Sequence, residues 1–114
     1  MTKPPKEPEW RIQHYVVREL HQLGILYHAD QNAGKRGPKA RMISKATGMR
    51  KGWPDLTIVH TQILFIEFKV TGNKLSKDQE ELHDQLTNQG LPVYTVTAST
   101  GEDAWKQVAG ILGL

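Results

Sequence analysis

Apolar and polar positions along the 114-residue chain follow two rhythms. From Glu9 to about Leu23, the residues Ile12, Val16, Val17, Leu20 and Leu23 recur at three- and four-residue steps, the repeat of a helix with one buried face. Pro8 before this stretch and Gly24 after it stand where helices tend to begin and end. Residues 25–29 read as a short strand, and a Gly-containing loop carries the chain from Asp30 to Gly37. Pro38 to Thr47 fits a short basic helix, with Pro38 in its first turn and Gly48 past its end. Over residues 52–70, GWPDLTIVHTQILFIEFKV, the pattern changes to two β-type runs flanking a polar turn, His60-Thr61-Gln62. Both alternating sets of positions in those runs are apolar, which predicts strands covered on both faces.

The helical repeat returns over residues 76–89. Ser76 and Gln79 are spaced as a capping box, Leu82 and Leu86 supply the inward stripe, and Gly90 ends the element. Leu91 to Thr97 reads as a strand, with Pro92 suited only to its start or to a sheet edge. Ser99 or Thr100 then caps a final helix to about Leu112, with Glu102 and Asp103 in its first turn and Trp105, Val108, Ala109 and Leu112 inward. The predicted order is α-β-(α)-β-β-α-β-α without repeat or linker. It implies an α/β fold, a central mixed sheet flanked by helices, with one domain over 9–114 behind a flexible arm of residues 1–8.

Composition narrows the function. A 38% hydrophobic and 24% charged chain is ordinary for a globular protein. No apolar run approaches the roughly 18 residues of a membrane span, and the Pro- and Lys-rich start lacks the apolar core of a secretory signal. Zero cysteines remove disulfides, thiolate zinc sites and cysteine nucleophiles together, and fit a cytoplasmic setting. The net charge of +3 is unevenly spread. Lys35, Arg36, Lys39, Arg41, Lys45, Arg50 and Lys51 fall within residues 35–51 with no acid among them, and the rest of the chain nets −4. Such a block reads as a polyanion-binding segment.

That basic block leads into the hairpin, whose charges a structural element does not need: Asp55, Glu67 and Lys69. Glu67 and Lys69 are two apart and share a face. With Val59 opposite Ile63 across a three-residue turn, Asp55 falls opposite Glu67, with Cβ atoms roughly 4.5–5.5 Å apart. A surface ion-pair cluster is a poor explanation, because Leu56, Ile66 and Phe68 mark the hairpin as buried and one lysine cannot balance two buried carboxylates. A cation between the acids would. Glu9 has a simpler reading as a first-turn charge on its helix dipole, and Gln79 as part of the capping box. His14, His21 and His28 form no helical stripe, and none of the five histidines shows a zinc-ligand spacing, so they read as surface or core-edge residues. No phosphate-binding glycine fingerprint is present, which excludes a nucleotide cofactor of that kind. Trp53 and Trp10 could stack on bases, although Trp10 reads better as core.

Pro54-Asp55, eleven intervening residues and then Glu67-Phe68-Lys69 resemble the motif of the PD-(D/E)xK nucleases. Together with Glu9, Ile12-Gln13, GWPDLTIV, LFIEFKV, LSKDQEEL and VYTV, the chain looks like the VRR-NUC (virus-type replication-repair nuclease) group of that superfamily. The resemblance implies a PD-(D/E)xK core and catalytic roles for Glu9, Asp55, Glu67, Lys69 and Gln79. Asp55, Glu67 and the backbone carbonyl of Phe68 would hold Mg²⁺ or Mn²⁺, for which hard oxygen ligands are suited. Glu9 would order a metal-bound water or a second ion. Gln79 would position the site or touch a phosphate. Lys69 could hold or deprotonate the attacking water, or neutralise charge on phosphorus.

The expectation is therefore a metal-dependent DNA endonuclease. Phosphates gripped by charge position DNA without reading sequence, which favours branched substrates such as four-way (Holliday) junctions. Symmetric cutting of a junction implies a C2 homodimer, with the first helix and the apolar parts of residues 38–49 as interface. The alternatives are a flap or single-strand repair nuclease, and a DNA-binding module of the same fold that does not cut. The resemblance also suggests a viral or bacterial mobile-element origin, and so the host cytoplasm if viral.

Overall fold

The computed structural model describes residues 5–30 and 37–114. Four helices and four strands follow in the expected order: α1 (Glu9–Gln22), β1 (Leu26–Ala29), α2 (Pro38–Ala46), β2 (Leu56–Val59), β3 (Ile63–Val70), α3 (Lys77–Asn88), β4 (Val93–Ala98) and α4 (Gly101–Leu112). The strands form one mixed sheet in spatial order β1-β2-β3-β4. β1, β2 and β3 are antiparallel neighbours, whereas β3 and β4 run parallel because α3 carries the chain back between them. The hairpin register is the expected one, with Val59 opposite Ile63 and Leu56 opposite Ile66. Pro92 precedes β4, and its carbonyl accepts a hydrogen bond from the Phe65 N–H at 3.0 Å.

One face of the sheet holds the core. Leu56, Ile58, Leu64, Ile66, Phe68 and Val96 pack there against Ile12, Val16 and Leu20 of α1 and Ala104 and Val108 of α4. Gly101 sits so close to Tyr15 that an added Cβ would collide with the tyrosine side chain, which sets how tightly α4 lies against α1. The opposite face carries Phe65, Glu67 and Lys69, and α3 meets it through Gln79 and His83, with Leu82 and Leu86 also buried on that helix. Trp53 stands edge-on to Phe65, 5.9 Å between centroids.

Two expectations need correction. Cover on both faces fails at the turn end of the hairpin, where Val59 and Ile63 are 39% and 48% exposed. Trp10 is not core but 66% exposed, since the buried stripe of α1 runs through Ile12, Val16 and Leu20. In the described part of residues 1–8, the Glu7 carboxylate accepts from the Gly101 N–H at the start of α4, the Glu7 N–H donates to the Ser99 carbonyl, and Lys6 donates to the Thr71 carbonyl. Among the described residues no helix is long and apolar enough to cross a membrane.

Candidate active site

Three separate elements bring acids to one point. Asp55 lies just before β2, where the register places it opposite Glu67. Its Oδ2 accepts a 2.8 Å hydrogen bond from the Phe68 N–H, and its backbone carbonyl accepts from the Asp30 N–H at 2.9 Å. Glu67 is completely buried. Glu9, the first residue of α1, comes in from the end of the sheet although its helix packs on the other face. One carboxylate oxygen from each of Glu9, Asp55 and Glu67 lies within 4.8 Å of the others. The Phe68 carbonyl points to the same strand edge as its N–H, toward Asp55, because a strand residue presents both groups on one side. Lys69 is half-buried, two residues beyond Glu67 on the same face.

The electrostatics follow from that crowding. Burial pushes the Glu67 carboxyl up to about 10, aided by hydrogen bonding to Asp55 and by the Asp55 and Glu9 charges, with Lys69 pulling the other way. Burial also raises Glu9, helped by Asp55 and again opposed by Lys69. Without a cation the cluster must retain a proton, since the lysine alone does not offset the acids.

Helix α3 grips Glu67 from the side. Gln79 makes two kinds of contact at once. Its Oε1 accepts the Ser76 N–H at 2.8 Å in a complete capping box, while its Nε2 donates to Glu67 Oε2 at 3.3 Å. One turn on, His83 is buried, with Nε2 3.3 Å from Glu67 Oε1. Burial lowers its pKa, partly countered by the Asp55 and Asp84 charges and reinforced by Lys69. Surface or core-edge placement therefore holds for exposed His14, His21 and His28 but not for His83. The signal for it was its position: His83 interrupts an apolar stripe between Leu82 and Leu86, four residues after Gln79.

The acids adjoin basic side chains. A cleft of about 810 Å³ is lined by Glu9, Asp55 and Gln79 together with Arg41, Lys45, Arg50 and Lys51, and also by Trp53 and Met49. Lys39 is exposed on α2 but outside this lining, and Lys35 and Arg36 lie outside the described residues. Lys51 pairs with Asp78 at 3.3 Å. The loop carrying these residues reaches α3 at Gly52, where φ is +90° and an added Cβ would stand 2.6 Å from the Asp78 carbonyl carbon. Only glycine accepts that conformation and that approach, and the contact ties the Asp55 segment to the first turn of the Gln79 helix.

The sequence model of the VRR-NUC domain matches residues 5–100, a span holding all four strands and the first three helices. The chain belongs to the VRR-NUC domain family. VRR-NUC domains are nuclease domains of the PD-(D/E)xK type. A solved structure described as a VRR_NUC domain is similar in fold, with a TM-score of 0.58 at 21% identity, covering 88% of this chain and 92% of that one. No curated protein matches the chain. Divalent-metal dependence is normal for such nucleases, and the acidic triad of this VRR-NUC domain, buried at Asp55 and Glu67 and half-buried at Glu9, is suited to it.

Proposed function

We propose that this VRR-NUC domain is a divalent-metal-dependent endonuclease that cuts branched DNA. The observation that carries the reading is the meeting of Glu9, Asp55 and Glu67, with Glu9 and Asp55 lining a cleft that Arg41, Lys45, Arg50 and Lys51 also line. The donor set fits Mg²⁺ or Mn²⁺. It is all oxygen, Asp55 and Glu67 are buried with Glu9 half-buried beside them, and Glu67 Oε1 has no hydrogen-bond partner. Asp55 and Glu67 would hold the ion with the Phe68 carbonyl, and Glu9 would complete the set directly or through water. When bound, the ion supplies Lewis acidity at the scissile phosphate and acidifies the attacking water.

The remaining work falls to the chain. The Phe68 N–H orients Asp55, and Gln79 orients Glu67. Lys69, as a cation, holds the attacking water or neutralises charge on the phosphorus. Arg41, Lys45, Arg50 and Lys51, with Lys39 further out and Lys35 and Arg36 ahead of α2, grip phosphates by charge alone, which selects DNA shape over sequence. A homodimer would set two such sites for a four-way junction, and the exposed Met42 and Ile43 of α2 are apolar surface available to it.

A second reading, a flap or single-strand nuclease, draws support from half-buried Trp53 in the cleft, which could stack on an unpaired base. Labelled four-way junction, flap, duplex and single-stranded DNA, each with Mg²⁺, Mn²⁺ or EDTA, separate the readings. Metal-dependent cutting of the junction in preference to the rest is expected. No cutting of any substrate would reject the enzyme reading and favour a non-cleaving DNA-binding module. Sedimentation at micromolar concentration tests the dimer, for which a mass near 12.9 kDa would count against it.

A further inference from the structure

Among the described residues His83 is the one buried histidine, and nothing in the chemistry above employs it. Buried polar atoms are nearly always hydrogen-bonded. Here His83 Nε2 and Glu67 Oε1 both lack a formed hydrogen bond, yet they face each other at 3.3 Å. Gln79 Nε2 stands at the same distance from the other oxygen, Oε2. Gln79 and His83 are four apart on α3, so one helix face presents two donors to the two oxygens of one carboxylate. Packing alone gives no reason for an imidazole between Leu82 and Leu86, where another apolar side chain would fill the space without a polar atom to satisfy.

We propose that His83 is a positioning residue. Its Nε2–H donates to Glu67 Oε1 and, with Gln79 on Oε2, holds the Glu67 carboxylate in the orientation from which it, Asp55 and Glu9 can grip one divalent cation. Partners that orient a ligand in this way commonly change metal affinity by about 10–100-fold when removed. The inference rests on the metal-dependent reading above.

The test is Mn²⁺ binding to the full chain by titration calorimetry without DNA, alongside metal-free melting. His83→Leu keeps the filled space and removes the donor. His83→Gln restores an N–H near the same point. The expected result is Mn²⁺ binding about 10–100-fold weaker in His83→Leu, metal-free Tm equal to or above wild type, and recovery to within a few-fold in His83→Gln. Cleavage by His83→Leu should then return to near the wild-type rate at high Mn²⁺, which a merely structural role would not produce. If His83→Leu does not fold, the ratio of Mn²⁺ affinities between His83→Ala and His83→Gln carries the same test. Equal affinity in wild type and His83→Leu, or a loss that His83→Gln does not recover, would overturn the inference alone. A wild type that binds Mn²⁺ no better than Asp55→Asn would overturn the metal reading itself, and this inference with it.

Discussion

On one face of β3, Leu64, Ile66 and Phe68 sit in the main core between α1 and α4. On the other, one residue out of phase, Phe65, Glu67 and Lys69 look toward α3 and the cleft. Both faces are dry at their centres, since Phe68 and Glu67 are each completely buried. Their energetics are opposite. Burying Phe68 lowers the free energy of the fold, whereas burying Glu67 beside Asp55 raises it and forces the acid to keep its proton. The stability of the core face is what permits the charged face to exist, as expected where a site holds groups in an unfavourable state.

The contrast can be broken most sharply at the acids. Asp55→Asn and Glu67→Gln should each lower metal-dependent cleavage by on the order of 10³-fold or more. Glu67→Gln should at the same time raise metal-free Tm by several degrees, about 1–2 kcal/mol, because a neutral isostere removes the cost of a buried acid. Initial rates and calorimetric melting check the pair, and a Glu67→Gln protein less stable than wild type would contradict the opposition of the two faces. On the core side, Phe68→Ala should cost about 3–5 kcal/mol with no compensating gain, read as a drop in the denaturant midpoint. At the seam, Gly52→Ala should cost about 2 kcal/mol through strain at positive φ and collision with Asp78. Cleavage should fall on the order of 10²-fold as Asp55 and Gln79 lose their relative placement, measured beside the melting curve.

A gentler probe is pH. Glu67 has its folded-state pKa raised from the ordinary 4.5 to about 10, so the stability it contributes is fully present below pH 4.5 and is lost as pH rises through about 10. Glu9 acts in the same sense. The lowered pKa of His83 acts in the opposite sense, but below its ordinary 6.5, where the unfolded chain takes up a proton that the fold does not. Between pH 7 and 10 the metal-free Tm should therefore fall steadily, and the increment from added Mn²⁺ should grow because the ion replaces the proton. A flat metal-free profile over that range would contradict the burial argument. The smallest effect belongs to the basic side chains lining the cleft. Lys45→Ala or Arg41→Ala should weaken DNA binding a few-fold, alike for all sequences, and reduce the slope of log K against log[salt] by about 1.

Much of this molecule was legible along the chain. Helix and strand order follow from periodicity. Hairpin register follows from the length of the His60-Thr61-Gln62 turn, and register alone placed Asp55 opposite Glu67. The misreadings have a common cause. Trp10 and the Val59–Ile63 pair are apolar residues whose partners never arrive, and which neighbour covers a position is a property of helix placement rather than of local pattern. The contacts of Lys6 and Glu7 leave no local pattern, because their partners, Thr71, Ser99 and Gly101, lie 65 or more residues away.

The sequence by itself determined the residue types of the site, the pairing of two acids across a hairpin and the basic approach to them, because these depend on spacing within one continuous element. Resemblance to a family pointed to Glu9 and Gln79, but tertiary structure decided that Glu9 lies against those acids, that Gln79 contacts both a helix cap and Glu67, and that His83 faces the remaining oxygen. Each of these turns on where a helix lies against the sheet. That placement is set by long-range packing, such as the Gly101–Tyr15 and Gly52–Asp78 contacts, and no periodicity within a single element can encode it.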